Sequence, residues 1–309
     1  MIYVTQGHEL GVGLEVFVKS AMLLNNESLK NITLLCSENS LKKTLDSLGF
    51  HYKFSKSQVE IAGIKINYLL IPKNKKSESL NSLQMGIDLC EKTPNSILFT
   101  LPTSKDQLDG HAGHTEYFRD FYKSPDLPMY FYGPDFQVLL LSDHLAVKDL
   151  SQHLKSNRIE KKLTITLDAL KKWKIPHQRI LISGFNPHAG ENGILGTEES
   201  ELKKILPSLQ KRFKDLVFEA PIPADTMIFS HKDHTDLLVY WFHDQGLGIF
   251  KAHHELIGAN ITLGLPYLRV SVDHGTAFNL YGKNQADERG CYYVLNLAQK
   301  FLSRIQNRG

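Results

Sequence analysis

The sequence predicts an α/β fold with two lobes, in which a mostly parallel sheet is sandwiched by helices. Short apolar runs alternate with segments of helical spacing along the 309 residues. The runs are rich in Leu, Ile and Val, as in strands that are buried on both faces. Such alternation implies right-handed crossovers between parallel strands. No long linker interrupts the chain, so we expect one lobe of residues 1–130 and 255–309, a second of residues 131–254, and an active-site cleft between them.

The apolar runs and the helical spacing between them predict the individual elements. The predicted strands are Met1–Thr5, Ile32–Cys36, Ser96–Thr100, Phe136–Leu141, Ile180–Ile182, Leu237–Phe242 and Tyr267–Val272. The predicted helices are Val16–Leu24, Leu41–Leu48, Leu163–Trp173, Ser200–Phe213 and Tyr292–Ile305. Two further stretches are predicted to be loops: the lysine-rich Pro72–Ser79, and Gly110–Glu116, whose glycines would let it fold closely around a ligand.

Composition excludes several functional classes. With 42% hydrophobic and 22% charged residues, the chain matches neither disordered nor fibrous proteins. A net charge of +3 without a concentrated basic face gives little support to nucleic-acid binding but suits an anionic small substrate. Three widely separated cysteines predict neither a disulfide framework nor a thiolate zinc site. No signal peptide or membrane-length apolar stretch is visible, so we expect a cytoplasmic location and no membrane partner.

Three histidines directly follow predicted strands and indicate a metal site. They are His144, His188 and His243. In open α/β sheets, ligands bind beyond the carboxyl ends of the strands. Three neutral imidazoles there can hold a divalent metal and leave a coordination position for substrate. Imidazole ligands suit zinc and cobalt best, and the sequence leaves magnesium and manganese open.

The glycine-rich segment Gly184–Thr197 lies between a predicted strand and a predicted helix. Its four glycines permit close backbone approach, so it can cradle a nucleotide or phosphate at the start of the helix. Thr197 is a good N-cap residue for that helix. The candidate cofactor-binding residues are Glu191, Gly193, Gly196 and Thr197. The segment lacks the common GxGxxG fingerprint, so a glycine-rich surface turn is the alternative.

Basic and polar side chains indicate a phosphate site. Lys251, Asn260 and Arg269 can bind a phosphate through point charge, hydrogen bonding and a bidentate fork, although each alone also fits an ordinary surface residue. His114 and Thr115 can donate hydrogen bonds to a substrate carboxylate or hydroxyl.

Five other histidines divide into two groups. His274 follows the last predicted strand and is a candidate fourth ligand, general base or structural residue, and we favour a role lining the cofactor or active site. The pairs His231 and His234, and His253 and His254, lack the i,i+4 spacing of a shared metal site. We expect these four to be surface histidines.

Several uncommon motifs follow one another along nearly the whole chain. They are Gly113-His-Thr-Glu116, Asn186-Pro-His-Ala-Gly-Glu191, Gly196-Thr-Glu-Glu199, Pro223-Ala-Asp-Thr226, His243-Asp-Gln-Gly246, Asn260-Ile-Thr-Leu-Gly264 and Asp273-His-Gly-Thr-Ala277. In this order they resemble the 4-hydroxythreonine-4-phosphate dehydrogenase family of pyridoxal phosphate biosynthesis. Two segments depart from the family's pattern: Gly7–Glu15 lacks its prolines, and Ala286–Cys291 replaces a shorter turn.

The resemblance implies a role for each group of candidate residues. It implies that the metal ligands are His144, His188 and His243. It implies that the phosphorylated substrate is bound by His114, Thr115, Lys251, Asn260 and Arg269. It also implies a fold similar to isocitrate and isopropylmalate dehydrogenases, NAD as hydride acceptor with NADP as an alternative, and a homodimer with shared active sites.

The predicted reaction is NAD-dependent oxidation and decarboxylation of 4-phosphohydroxy-L-threonine to 3-amino-2-oxopropyl phosphate. The alternative substrate is a related sugar-acid phosphate, threonate or erythronate 4-phosphate. Asp225 and His274 are the candidates for the general base. A catalytically silent binding or regulatory protein and a metallohydrolase are the competing classes, and the complete histidine set and the remaining motifs argue against them.

Overall fold

The computed structural model describes residues 1–306, and the chain divides into two compact units. The first unit comprises Met1–Lys123 and Leu265–Gly309, of which residues 307–309 lie outside the described part. The second unit comprises Ser124–Gly264. No helix within residues 1–306 combines the length and apolar character needed to cross a membrane.

The elements alternate along the chain much as the apolar runs indicate. The strands are β1 (Ile2–Thr5), β2 (Ile32–Cys36), β3 (Tyr52–Phe54), β4 (Gln58–Ile61), β5 (Ile64–Leu70), β6 (Ile97–Thr100), β7 (Met129–Tyr132), β8 (Gln137–Leu140), β9 (Arg179–Ser183), β10 (Val217–Ile222), β11 (Asp236–Tyr240), β12 (Ala259–Thr262) and β13 (Leu268–Val272). The α-helices are α1 (Gly13–Met22), α2 (Asn26–Leu29), α3 (Glu38–Ser47), α4 (Glu78–Lys92), α5 (His114–Phe121), α6 (Leu150–His153), α7 (Ser156–Lys172), α8 (Ser200–Arg212), α9 (His243–His254) and α10 (Arg289–Gln306).

Strand pairing in each unit confirms the predicted mostly parallel sheet. In the first unit the order is β13-β6-β1-β2-β5-β4-β3, parallel as far as β5 and antiparallel in the β5-β4-β3 meander. In the second unit the order is β10-β9-β11-β8-β7-β12. Its first four strands are parallel, and β7 and β12 pair in antiparallel register.

Helix α9 packs on the second unit's sheet through a continuous apolar cluster. Phe250 of this helix contacts the cluster that contains Phe131 of β7, Phe136 before β8 and Leu238 of β11. Full burial of each such side chain contributes about 1.5–3 kcal/mol relative to leaving it exposed. The helix runs from His243 to His254, and its middle residues Leu247 and Phe250 belong to this cluster.

Several elements differ from the sequence-based expectation. The loop predicted at Gly110–Glu116 ends at Gly113, because α5 begins at His114. The loop predicted at Pro72–Ser79 ends in α4, where the Ser77 side chain caps the helix by accepting from the Leu80 N–H at 3.1 Å. Strands β3, β4 and β5 were not predicted, because their exposed faces carry polar residues and interrupt the apolar pattern.

Candidate functional site

Four neighbouring parallel strands of the second unit end at one edge of the sheet, and a candidate site residue follows each of them. Their order is β10-β9-β11-β8. After these strands the chain continues to Asp225, His188, His243 and His144, respectively. Because parallel strands place their carboxyl ends at the same edge, this arrangement agrees with the strand-end argument that singled out the three histidines.

The structure brings two of the three predicted metal ligands together. The ring centroids of His144 and His243 are 5.9 Å apart. His243 is half-buried, and its Nδ1 lies 2.6 Å from Asp244 Oδ1, whereas His144 and His188 are exposed. Within residues 1–306, the group of three potential metal-ligand side chains with mutually close donor atoms is a different one, Asp135, His253 and His254. Metal binding by His144, His188 and His243 therefore stays a prediction.

Gln245 ties together the strand ends that carry His188 and His243. Its side-chain oxygen accepts from the Trp241 N–H at 2.9 Å and from Ser183 Oγ at 3.2 Å. Its amide nitrogen donates to the Gly184 carbonyl at 3.0 Å. The indole N–H of Trp241 donates to the Ser183 carbonyl at 2.7 Å. These bonds join the end of β9 to the end of β11 in a buried environment, where unmatched polar atoms are costly.

The segment His188–Asn192 adopts a left-handed turn. All five residues have positive φ, from 41° at Glu191 to 79° at Gly190. For residues other than glycine, this conformation costs roughly 1–2 kcal/mol each, so the surroundings must impose it. Glu199 supplies part of that constraint, because its carboxylate accepts from the Asn186 N–H at 2.8 Å and from Asn186 Nδ2 at 3.1 Å. Glu199 is buried and belongs to the motif Gly196-Thr-Glu-Glu199, but its contact with Asn186 was not predicted from the sequence.

The left-handed turn forms one wall of a cavity of about 500 Å³. All four predicted cofactor-binding residues, Glu191, Gly193, Gly196 and Thr197, line it together with His188 and Lys203. Lys203 adds an exposed cation that sequence analysis missed. The prediction that Thr197 is the helix N-cap is wrong. Helix α8 begins at Ser200 after Glu199, and the Thr197 N–H instead donates to Glu198 Oε2 at 3.0 Å.

In the first unit, His114 and Thr115 form the start of α5. The first backbone N–H groups of a helix have no partner within it and favour anions. Thr115 is buried and His114 half-buried. Desolvation, followed by the positive charge of Arg269, holds the pKa of His114 well below its usual value. The imidazole is therefore neutral at pH 7 and can donate or accept a hydrogen bond.

Arg269 on β13 is a buried cation beside this helix. Its Nε and Nη2 donate to Thr100 Oγ1 at 3.0 and 2.7 Å, and its guanidinium carbon lies 5.9 Å from the centre of the Phe118 ring. Desolvation lowers the pKa of Arg269 to about 9. The helix start, the neutral imidazole and the cation together form a place where a phosphate would be stabilised.

The two candidate bases differ in their surroundings. His274 follows β13 in the first unit, and its Nδ1 lies 2.9 Å from the Gly275 carbonyl, which can only accept. In the neutral tautomer that donates from Nδ1 to this carbonyl, Nε2 carries the lone pair. This Nε2 is buried and has no hydrogen-bond partner among the described residues. Asp225 is exposed in the turn after β10 of the second unit.

The remaining predicted residues and the surface histidines lie in the second unit. Lys251 is exposed on α9, and Asn260 is half-buried on β12, opposite Phe131 of β7. His234 is exposed as expected. The expectation for His254 is wrong: only 4% of this residue is exposed, because its ring packs against Phe136 and Phe250.

Comparison with known proteins covers nearly the whole chain. Residues 15–298 match the family model described as "Pyridoxal phosphate biosynthetic protein PdxA". A protein of Oceanobacillus iheyensis named "Putative D-threonate 4-phosphate dehydrogenase" is 31% identical, over 96% of each chain. A 4-hydroxythreonine-4-phosphate dehydrogenase of Desulforapulum autotrophicum is 35% identical, over 71% of this chain and 66% of that relative. These names confirm the predicted dehydrogenase class.

Solved structures agree with this assignment. A 4-hydroxythreonine-4-phosphate dehydrogenase from Klebsiella pneumoniae superimposes with a TM-score of 0.78 at 25% identity, over 98% of this chain and 99% of that one. A β-decarboxylating dehydrogenase from Thermococcus kodakarensis shares the fold alone, with a TM-score of 0.58 at 12% identity over 98% of this chain and 83% of that one. The chain is an oxidoreductase that belongs to the family of the pyridoxal phosphate biosynthetic protein PdxA.

Proposed function

We propose that the protein catalyses NAD-dependent oxidation and decarboxylation of 4-phosphohydroxy-L-threonine to 3-amino-2-oxopropyl phosphate. The observation that carries the proposal is the set of four side chains, Asp225, His188, His243 and His144, beyond the ends of neighbouring parallel strands. Membership of a family named for pyridoxal phosphate biosynthesis supports the same substrate. The dehydrogenase names of the relatives support a nicotinamide cofactor, for which we propose NAD, with NADP as the alternative.

The chain's own residues would bind and orient the substrate. The start of α5, with His114 and Thr115, and the Arg269 guanidinium would hold the phosphate, assisted by Lys251 and Asn260. His274 would accept the hydroxyl proton at Nε2, whose lone pair is maintained by the Nδ1 contact with Gly275. NAD, when bound, would supply the acceptor for the hydride from the carbon that bears this hydroxyl, and the resulting β-keto acid would lose carbon dioxide and take up a proton at the carbon that carried the carboxyl group.

The donor set fits the proposed cofactors. His144, His188 and His243 would hold a divalent metal, and imidazoles suit zinc or cobalt better than magnesium or manganese. The bound metal would supply a Lewis acid, and NAD would supply the hydride acceptor. The cavity beside the left-handed turn, lined by Glu191, Gly193, Gly196 and Thr197, would bind one portion of the NAD molecule. Lys203 offers a cation for the phosphates of NAD.

D-threonate 4-phosphate is the second candidate substrate, because a relative named for it aligns with 96% of the chain. It carries a hydroxyl where the amino-acid substrate carries an amino group. Steady-state NADH formation with each compound, in metal-replete protein, separates the two. We expect the higher kcat/KM with 4-phosphohydroxy-L-threonine, and carbon dioxide release equal to NADH formation. A higher kcat/KM with D-threonate 4-phosphate would overturn the substrate assignment, and no NADH with either would overturn the reaction.

Three further predictions accompany this function. We propose that the protein is a homodimer with shared active sites, that its catalytic cleft uses residues of both predicted lobes, and that it acts in the cytoplasm. The family supports the first two through the resemblance of the motifs. Sedimentation can test the homodimer, and subunit-mixing kinetics can test the shared active sites.

A further inference from the structure

Asp135, His253 and His254 form a second cluster of potential metal ligands, away from the carboxyl edge of the sheet. Asp135 lies in the turn between β7 and β8, on the amino side of β8. His253 and His254 are the last residues of α9, whose first residue is His243. Twelve helical residues span about 17 Å, so this cluster is separate from the candidate site that contains His243.

The donor atoms of the cluster have the spacing of a metal coordination shell. Asp135 Oδ2 lies 3.1 Å from His253 Nε2 and 3.6 Å from His254 Nε2, and one potential ligand atom from each of the three side chains lies within 4.8 Å of the other two. Zinc bonds to nitrogen and oxygen are about 2.0–2.2 Å long, so two ligand atoms at a tetrahedral zinc lie roughly 3.3–3.6 Å apart. The distances of 3.1 and 3.6 Å in the cluster are close to this range.

The surroundings hold His254 firmly in place. Its ring centroid lies 4.4 Å from that of Phe136 and 4.6 Å from that of Phe250, and the residue is 4% exposed. A Cβ atom added at Gly133 would overlap the imidazole, so the glycine makes room for this ring. The Asp135 N–H points at His254 Nε2 at 3.4 Å, a weak hydrogen bond that a metal could replace. His254 is thus positioned before any ion binds.

The open side of the cluster leaves room for an ion to enter. Asp135 and His253 are exposed, and their side chains can adjust to an incoming ion. His231 is a neighbour of the cluster, since its ring centroid lies 6.5 Å from that of His253. The Nδ1 atom of His231 lies 2.6 Å from the Ile228 carbonyl. A water molecule can complete a four-coordinate site.

We propose that Asp135, His253 and His254 bind a divalent transition-metal ion of the zinc class, which clamps the end of α9 to the β7–β8 turn. Two imidazoles and one carboxylate favour zinc, cobalt, nickel or copper over magnesium and calcium, which prefer oxygen ligands. The ion would have a structural role. It would anchor the last residues of α9, the helix whose first residue is the candidate metal ligand His243. The alternative is a metal-free cluster in which His253 contacts Asp135 directly.

Cobalt titration of metal-depleted, tag-free full-length protein tests the proposal, with visible d–d absorption as the readout. Asp135→Asn and His253→Gln alter exposed side chains and should preserve folding, which circular dichroism checks. His234→Gln is the matched control, because His234 is an exposed histidine of the same unit. We expect each cluster variant to bind one fewer cobalt ion per chain than wild type, or to bind it about tenfold or more weakly. We expect the control to match wild type.

A second readout keeps this test independent of the proposed catalytic metal. The same titration in a His144→Ala/His243→Ala protein should still show one cobalt ion per chain, which His253→Gln then removes. Cobalt binding that is unchanged by Asp135→Asn and His253→Gln would overturn the second site. Absence of cobalt binding in the His144→Ala/His243→Ala protein would overturn it as well. Loss of enzymatic activity alone bears only on the catalytic proposal.

Discussion

Arg269 illustrates at the scale of one residue how a buried cation can prepare a phosphate site. It is 3% exposed and donates twice to a single hydroxyl oxygen, that of Thr100. Burial lowers its pKa to about 9, yet the group stays charged at neutral pH. A bound phosphate would stabilise the buried guanidinium and so replace part of the hydration that an exposed guanidinium has.

Arg269→Lys should weaken substrate binding, because an ammonium cannot reproduce the planar fork. Loss of one charge-assisted hydrogen bond costs about 1.5–3 kcal/mol, so KM for the phosphorylated substrate should rise by roughly 10- to 150-fold. Arg289→Lys is the control, because Arg289 is an exposed arginine of the same unit that pairs with Asp287 at 2.8 Å. An unchanged KM in the Arg269 variant would contradict the phosphate assignment.

Gly190→Ala should disrupt the left-handed turn beside the cofactor cavity. Gly190 has φ of 79°, and an added Cβ would lie 2.6 Å from Glu199 Oε2. Gly63 has a comparable φ of 84° but no atom within 4 Å of an added Cβ, so Gly63→Ala measures the backbone strain alone. We expect Gly190→Ala to lower the free energy of unfolding by about 1–3 kcal/mol and to raise KM for NAD. Equal effects of both variants on stability, with an unchanged KM, would show that the contact with Glu199 is unimportant.

At the scale of elements, the strand ends were predictable but the left-handed turn was not. Continuous apolar runs identify buried strands such as β9 and β11, and the histidines after them follow directly from the sequence. The turn at His188–Asn192 places four residues other than glycine at positive φ, which no local propensity favours. Hydrogen bonds between Asn186, two residues before the turn, and Glu199, seven residues after it, help to hold the turn in place.

The two segments that depart from the family pattern are joined in the structure. Glu15, at the end of the amino-terminal segment, accepts from the Ala286 N–H at 3.0 Å. Lys19 donates to Glu15 at 2.8 Å and to the Ala286 carbonyl at 3.0 Å. The contact between these two segments could not be predicted from the sequence, because 271 positions separate Glu15 from Ala286. Only the fold reveals that they form one contact.

Helix α5 should contribute to the pH dependence of stability through His114. The pKa of His114 is lowered in the folded protein. At pH values between this lowered pKa and the ordinary histidine pKa of about 6.5, the unfolded chain therefore binds more protons than the folded protein. Folding stability should therefore fall as the pH is lowered below about 6.5. Urea unfolding from pH 7.5 to 5 should show a smaller loss for His114→Gln than for wild type. Parallel curves for the two proteins would contradict the lowered pKa.

At the scale of the whole molecule, the proposed homodimer can be tested by subunit mixing. A His144→Ala variant is mixed with an Arg269→Ala variant after each is shown to be inactive. If a site takes the metal ligands and the phosphate-binding residues from different subunits, heterodimers should recover one intact site and activity well above either parent. An active monomer in sedimentation at the assay concentration would contradict the shared-site prediction.

The proposed reaction would require a metal held by His144, His188 and His243 at the ends of β8, β9 and β11, and parallel measurements of bound metal and activity test this requirement. His144→Ala, His188→Ala and His243→Ala are compared with wild type for NADH formation from 4-phosphohydroxy-L-threonine and for bound metal, with folding checked by circular dichroism. We expect each folded variant to lose turnover and one equivalent of metal per chain, while any ion at Asp135, His253 and His254 remains. Full metal content and wild-type turnover in all three variants would contradict the account.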